Sequence, residues 1–158
     1  MFKGYVSAFE YFDAVRDASL DVERITRQLE RMRTPGGHSG LAQRVSATYP
    51  DVNGTNRSIA LMDYEQRVQK RLDNSMKMLD EAQLILYGPG CKGGLNALMS
   101  GPAADVLYWR CVKSSTWSMT ADAVGYSRRW CIDQAQLACE QLDTIGPDNA
   151  VKGIGIAS

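Results

Sequence analysis

The chain has 158 residues, no net formal charge and 44% apolar residues, which suits one domain, or one long hairpin plus a small domain, built around a real core. A zero balance removes the broad basic excess on which nucleic-acid binders usually rely, leaving a local patch as the route to DNA. No run approaches the ~20 apolar residues of a membrane span, and the opening MFKGYVSAFEYFDAV has no continuous apolar stretch, so neither a membrane nor a signal peptide is expected. Residues Gly4 to Arg33 read as one long helix. Ala8, Tyr11, Val15, Ala18, Val22, Ile25, Leu29 and Met32 step by alternating threes and fours, a heptad seam that packs against one other helix. Glu23, Arg24, Arg27, Glu30 and Arg31 make a solvated face. Residues 34–56 are rich in Gly, Pro, Ser, Thr and Asn and read as a mobile loop, too long for a tight connection.

Helical periodicity resumes near Ser58. Leu61, Tyr64, Val68, Leu72, Ser75, Leu79, Ala82 and Leu86 form a second seam, expected to run back against the first as an antiparallel hairpin over residues 1–86, because each seam alone would face water. Self-association through the same seams, giving a homodimer, is the competing arrangement. The stretch YGPGCKGG, from Tyr87 to Gly94, breaks the helix. It lacks the GK[ST] ending of a phosphate loop and follows a helix instead of a strand, so a hinge over residues 87–102 is expected in place of a nucleotide site, with a short helical turn from Leu95 to Ser100. Three more helices fit: Ala103 to Lys113, Trp117 to Val124 with Thr116 as N-cap, and Arg128 to Leu142 with Ser127 as N-cap. The tail, residues 146–158, has no periodicity and is expected to be disordered.

Cys91, Cys111, Cys131 and Cys139 form no CxxC, and His38 stands alone in a Gly-rich stretch, so no metal and no cofactor is expected. Cys111, Cys131 and Cys139 lie among apolar neighbours in expected helices and read as buried free thiols, consistent with a reducing cytoplasm. No triad, metal cluster or nucleotide loop supports catalysis, and Asp13 and Asp17 read as surface charge, so the chain is not read as an enzyme.

The informative segment is TWSMTADAVGYSRRWCIDQAQLACEQL, from Thr116 to Leu142. A helix-turn-helix needs two helices crossing closely across a tight turn. Ala121 supplies the small residue at the crossing, Gly125 the residue that accepts a positive φ, and Cys131 the apolar residue early in the second helix. Trp117, Val124, Leu137 and Leu142 are expected to fill the core against Val106, Leu107 and Cys111. The fold class is therefore all-α: a long N-terminal antiparallel helical hairpin followed by a small helix-turn-helix domain at 103–145.

The run LYWRCVKSSTWSMTADAVGYSRRWCIDQAQLACEQLD resembles the sigma-70 region 4-like module of small phage and prophage transcriptional regulators, the ArpU and RinA-type late-gene activators among them. Trp117, Ala121, Val124, Gly125, Tyr126, Ser127, Arg128, Arg129, Trp130 and Cys131 follow that family's pattern in order and spacing. The close match covers about a quarter of the chain. The resemblance implies a DNA-binding regulator in a bacterial host cell, with double-stranded DNA as partner and the helix from Arg128 lying in a major groove. Ser127 would donate to a phosphate at the helix N-terminus, and Arg128 and Arg129 would meet guanine or phosphate. Trp130 would contact a sugar or a thymine methyl, or cover the core; Gln136 would reach an adenine or a backbone oxygen; Lys113 would bind phosphate.

The chain departs from the family after its cysteine, where Ile132, Asp133 and Gln134 replace more basic residues. Asp133 would repel phosphate or be limited to accepting from cytosine, Gln134 stands where an apolar core residue is usual, and acidic residues slightly outnumber basic ones from Ala103 to Ile145. These departures keep a second reading open: a protein-interaction module with a vestigial helix-turn-helix, its partner RNA polymerase or another host protein.

Overall fold

The computed structural model describes residues 2–33, 55–99 and 101–155. Among them the regular elements are helices, with one isolated bridge between Phe2 and Tyr5. The helices are α1 (Ala8–Arg33), α2 (Thr55–Tyr87), α3 (Gly94–Leu98), α4 (Ala103–Leu107, continued by a π-turn over Tyr108–Val112), α5 (Trp117–Val124), α6 (Arg128–Ile145) and α7 (Pro147–Lys152). No helix among the described residues is long and apolar enough to cross a membrane. The loop expected at 34–56 lies outside the described residues, except that Thr55 and Asn56 already belong to α2.

Helix α1 begins four residues later than the sequence pattern indicates. Lys3 and Gly4 adopt positive φ angles of 46° and 88°, and Phe2 and Tyr5 exchange backbone hydrogen bonds of 2.9 and 2.8 Å, which closes a tight turn where helix was expected. The start is fixed by capping. The Ser7 hydroxyl accepts from the amide of Glu10 at 3.3 Å while the Glu10 carboxylate accepts from the amide of Val6 at 3.2 Å, so first-turn donors that α1 cannot satisfy internally find partners. Asp143 of α6 accepts from the Ala8 amide at 2.6 Å.

The described residues divide into two compact units, 1–20 with 77–158, and 21–76. In the second unit Ile25 and Leu29 of α1 and Val68 of α2 form a small buried cluster, flanked by Tyr64 and Leu72. Beside it the Arg71 guanidinium donates twice to Asp21, at 2.8 and 2.6 Å. Both seams read from the sequence supply these contacts.

The first unit holds the main core. Phe2, Tyr11, Phe12 and Val15 meet Ile85 and Leu86 of α2, Leu95 of α3, Ala104 and Leu107 of α4, and Leu142 and Ile145 of α6. The described residues of the segment 87–102, where a hinge was expected, are part of this unit. Gly88, Gly93, Gly94 and Leu95 are buried, and the Gly93 backbone lies so close to Val151 that an added Cβ would stand 2.6 Å from its carbonyl oxygen. These glycines permit close backbone approach instead of supplying freedom. The tail is also ordered where described: Pro147 starts α7, Ala150 is fully buried, and the Asn149 amide donates to the Ile145 carbonyl at 3.3 Å.

One buried group in this core lacks a partner. The Tyr11 hydroxyl makes no hydrogen bond among the described residues, and burial, with Glu81 nearby, pushes its pKa well above the usual tyrosine value. A hydroxyl desolvated without compensation costs free energy. Tyr11→Phe is therefore expected to leave stability unchanged or raise it by up to about 1 kcal/mol, measured by chemical denaturation; a clear loss would mean that the hydroxyl has a partner.

Candidate nucleic-acid interface

The candidate site is built from α4, α5 and α6. The π-turn ending α4, closed by the Lys113 amide donating to the Tyr108 carbonyl at 3.0 Å, turns the chain toward α5. That corner is held to α1 by Arg16 and Ser19 and braced within itself by Arg110. Arg16 donates to the carbonyls of Arg110 and Ser115 at 2.8 and 2.9 Å. Arg110 donates to the Ser115 carbonyl at 3.1 Å and lies 4.5 Å from the Trp117 ring centroid. Ser19 adds a hydrogen bond to the Val112 carbonyl at 2.7 Å. Burial and the neighbouring Arg16 lower the Arg110 pKa from its ordinary value. Both guanidiniums are engaged in joining elements and are not part of an open basic surface.

Helix α5 starts where its cap dictates: Thr116 Oγ1 accepts from the Met119 amide at 3.1 Å. It ends at Gly125, whose φ of 80° is left-handed and whose amide bonds the Ala121 carbonyl at 2.9 Å. The expected N-cap of α6 is also present, with Ser127 Oγ accepting from the Trp130 amide at 3.1 Å. Between the two helices Ala121 and Cys131 are buried with Val106, packed by Trp117, Val124, Trp130 and Ala135. Leu142 is buried too, but in the main core. Leu137, expected in this core, is 49% exposed, because it lies on the outer face of α6, between the Trp130 and Asp133 sides. The helix itself runs three residues beyond its expected end, to Ile145.

The six candidate residues are not equivalent. Ser127, Arg128 and Arg129 are exposed together around the first turn of α6. The Ser127 oxygen is occupied by capping, which leaves its hydroxyl hydrogen for a phosphate. Arg129 Nε lies 3.7 Å from Asp133 Oδ2, with both side chains mostly in solvent. Trp130 is half-buried and stacks on Tyr126 with ring centroids 3.9 Å apart and planes 16° from parallel, so it both covers the core and presents an edge. Gln136 is exposed, but its amide donates to Glu140 at 3.2 Å. Lys113 is exposed, its ammonium 5.7 Å from the Tyr108 ring centroid. Lys113 precedes α5 and Arg128 follows it, so the length of that eight-residue helix, about 12 Å at the α-helical rise, lies between them along the chain.

Sequence reasoning missed the Tyr126–Trp130 stack, for which the spacing of two aromatics four residues apart across a capped turn is the available signal. It also missed where the carboxylates of α6 lie: Asp133 is exposed beside Arg129, while Glu140 and Asp143 line a cavity toward the start of α1. Burial pushes Cys111 and Cys139 up to about 12, with Asp143 and Glu140 adding to the effect at Cys139. Among the described residues no group of His, Cys, Asp and Glu is placed to hold a metal ion.

Set against known proteins, the chain matches no family model, no curated sequence and no solved structure.

Proposed function

We propose that the protein is a sequence-specific DNA-binding regulator of transcription, of phage or prophage origin and of the sigma region 4-like kind, acting without catalysis in the cytoplasm of a bacterial host. On this reading α5 and α6 are a helix-turn-helix, and the paired seams of α1 and α2 an antiparallel hairpin. The observation that carries it is the turn at Gly125, φ 80°, which crosses α5 and α6 over Ala121 and Cys131 and leaves the capped start of α6 in solvent with Arg128 and Arg129.

The electrostatics narrow how α6 meets DNA. Asp133, Glu140 and Asp143 along α6 repel phosphate, so the helix enters a major groove by its first turn and does not lie along it. The N-terminal residues of a recognition helix are the ones that reach base edges, and arginine is the side chain suited to guanine. With few phosphate contacts, a single copy binds weakly, and a dimer on paired half-sites supplies the remaining affinity.

The test is a gel-shift titration on promoter DNA of the element encoding the protein, at two salt concentrations. Expected is binding at micromolar protein that weakens as salt rises and drops about tenfold in Arg128→Ala. Salt-independent binding, or an Arg128→Ala protein equal to the parent, overturns the reading. The second reading, a protein-interaction module for RNA polymerase or another host protein, is favoured by the carboxylates along α6, Asp133, Glu140 and Asp143.

A further inference from the structure

Away from the first turn of α6, a cavity of about 430 Å³ opens between the start of α1, the end of α4 and the middle of α6. Its walls are apolar: Phe9, Phe12, Leu107, Trp117, Ile132 and Ala135. Its polar lining is one-sided, with Asp13, Glu140 and Asp143 and no lysine or arginine. Arg16 and Arg110, on the same elements, are bonded to backbone carbonyls. The apolar lining reaches solvent, since Phe9 is 65% and Ile132 42% exposed. Phenylalanine in water at the mouth of a preformed hole is unfavourable in the isolated chain, and contiguous exposed apolar surface of this kind marks an interaction site.

We propose that this cavity is the docking groove for an amphipathic helix of a protein partner, one whose apolar face is flanked by lysines or arginines. A bulky apolar side chain of that helix enters between Phe9, Trp117 and Ile132, as in helix-in-groove recognition, and its cations face Asp13 and Glu140. Charge complementarity selects this occupant: the carboxylates exclude a nucleic-acid backbone and an acidic helix, and they steer a basic one. Asp143 contributes charge through the oxygen left after it accepts from the Ala8 amide. The groove does not depend on the DNA-binding reading, because Arg128 and Arg129 do not line it.

The experiment uses the full isotope-labelled chain and two synthetic helical peptides, with leucines at positions i, i+3, i+4 and i+7 and either lysine or glutamate elsewhere, followed by backbone amide shifts. The lysine peptide is expected to shift Phe9, Asp13, Ile132 and Gln136 and to saturate, with the glutamate peptide about tenfold weaker or worse. Asp13→Lys with Glu140→Lys reverses the preference, and Phe9→Ser weakens the lysine peptide about tenfold. All these positions are exposed; Glu140→Lys gives up the Gln136–Glu140 hydrogen bond on the helix surface, and unchanged melting of each variant verifies its fold. Equal binding of the two peptides, shifts confined to other surfaces, no reversal on charge exchange or no effect of Phe9→Ser overturns the proposal. So does saturation of the same amides by benzyltrimethylammonium while the lysine peptide leaves them unmoved, which would make the cavity a small-cation site.

Discussion

Gly94→Ala is expected to destabilise the protein by about 3–5 kcal/mol, the overpacking and left-handed costs together, and to lower its melting temperature by about 10 °C or more for a chain of this size. Gly94 has a φ of 71°, and a Cβ there would stand 2.4 Å from the Tyr87 amide nitrogen, 2.5 Å from the Leu86 carbonyl carbon and 2.6 Å from the Gly88 amide nitrogen. All three atoms are backbone at the end of α2, next to the fully buried Leu86, so relief requires moving that helix end out of the core. Gly90 in the same segment is the internal control. Its φ of 62° carries the same conformational cost, but a Cβ there meets nothing within 4 Å, so Gly90→Ala should cost only about 1 kcal/mol. Denaturant melts of the two variants distinguish a packed crossing from a flexible hinge: equal and small losses would restore the hinge.

That segment also shows where sequence legibility stops. Glycine is permissive in two senses, and a run of glycines reads the same whether it supplies freedom or lets two backbones approach. The contacts of Gly94 with the end of α2 and of Gly93 with Val151 favour the second, and the latter spans more than fifty residues of sequence. Local signals fared differently. The bounds of α5 and the start of α6 were legible because Thr116, Gly125 and Ser127 each act on the backbone within three or four residues. The true start of α1 was equally legible and was overlooked: Ser7 and Glu10 carry the capping-box spacing, but the apolar seam drew the helix back past them to Gly4. Helix α7 is six residues long, too short for periodicity to register, yet Pro147 at its first position and Gly153 beyond its last are the punctuation that such a helix leaves in a sequence. The cavity beside α6 had no sequence signal, since its walls come from α1, α4, α5 and α6, whose arrangement no pattern within one helix encodes.

The charges at the start of α6 lead to the largest expected effect on binding. On the DNA-binding reading, Arg128→Ala with Arg129→Ala should reduce affinity about 100-fold, each guanidinium contributing about 1–3 kcal/mol at a base edge, and should flatten the slope of log affinity against log salt by up to about 2 where the contacts are to phosphate. Asp133→Asn should act in the opposite direction. Asp133 holds Arg129 only loosely, at 3.7 Å with 89% and 57% of the two side chains exposed, so the pair adds little to stability while its carboxylate repels DNA and competes for the guanidinium. Removing that charge should tighten binding about threefold or more. Misfolding cannot mimic this pattern. Two cations at the start of a helix oppose its dipole, so the double alanine variant should melt at the same temperature as the parent or slightly higher, and its lost affinity would then come from the interface itself. A double variant that binds DNA like the parent, with Asp133→Asn unchanged, would remove the first turn of α6 from any nucleic-acid contact and leave the acidic groove as the functional surface of this domain.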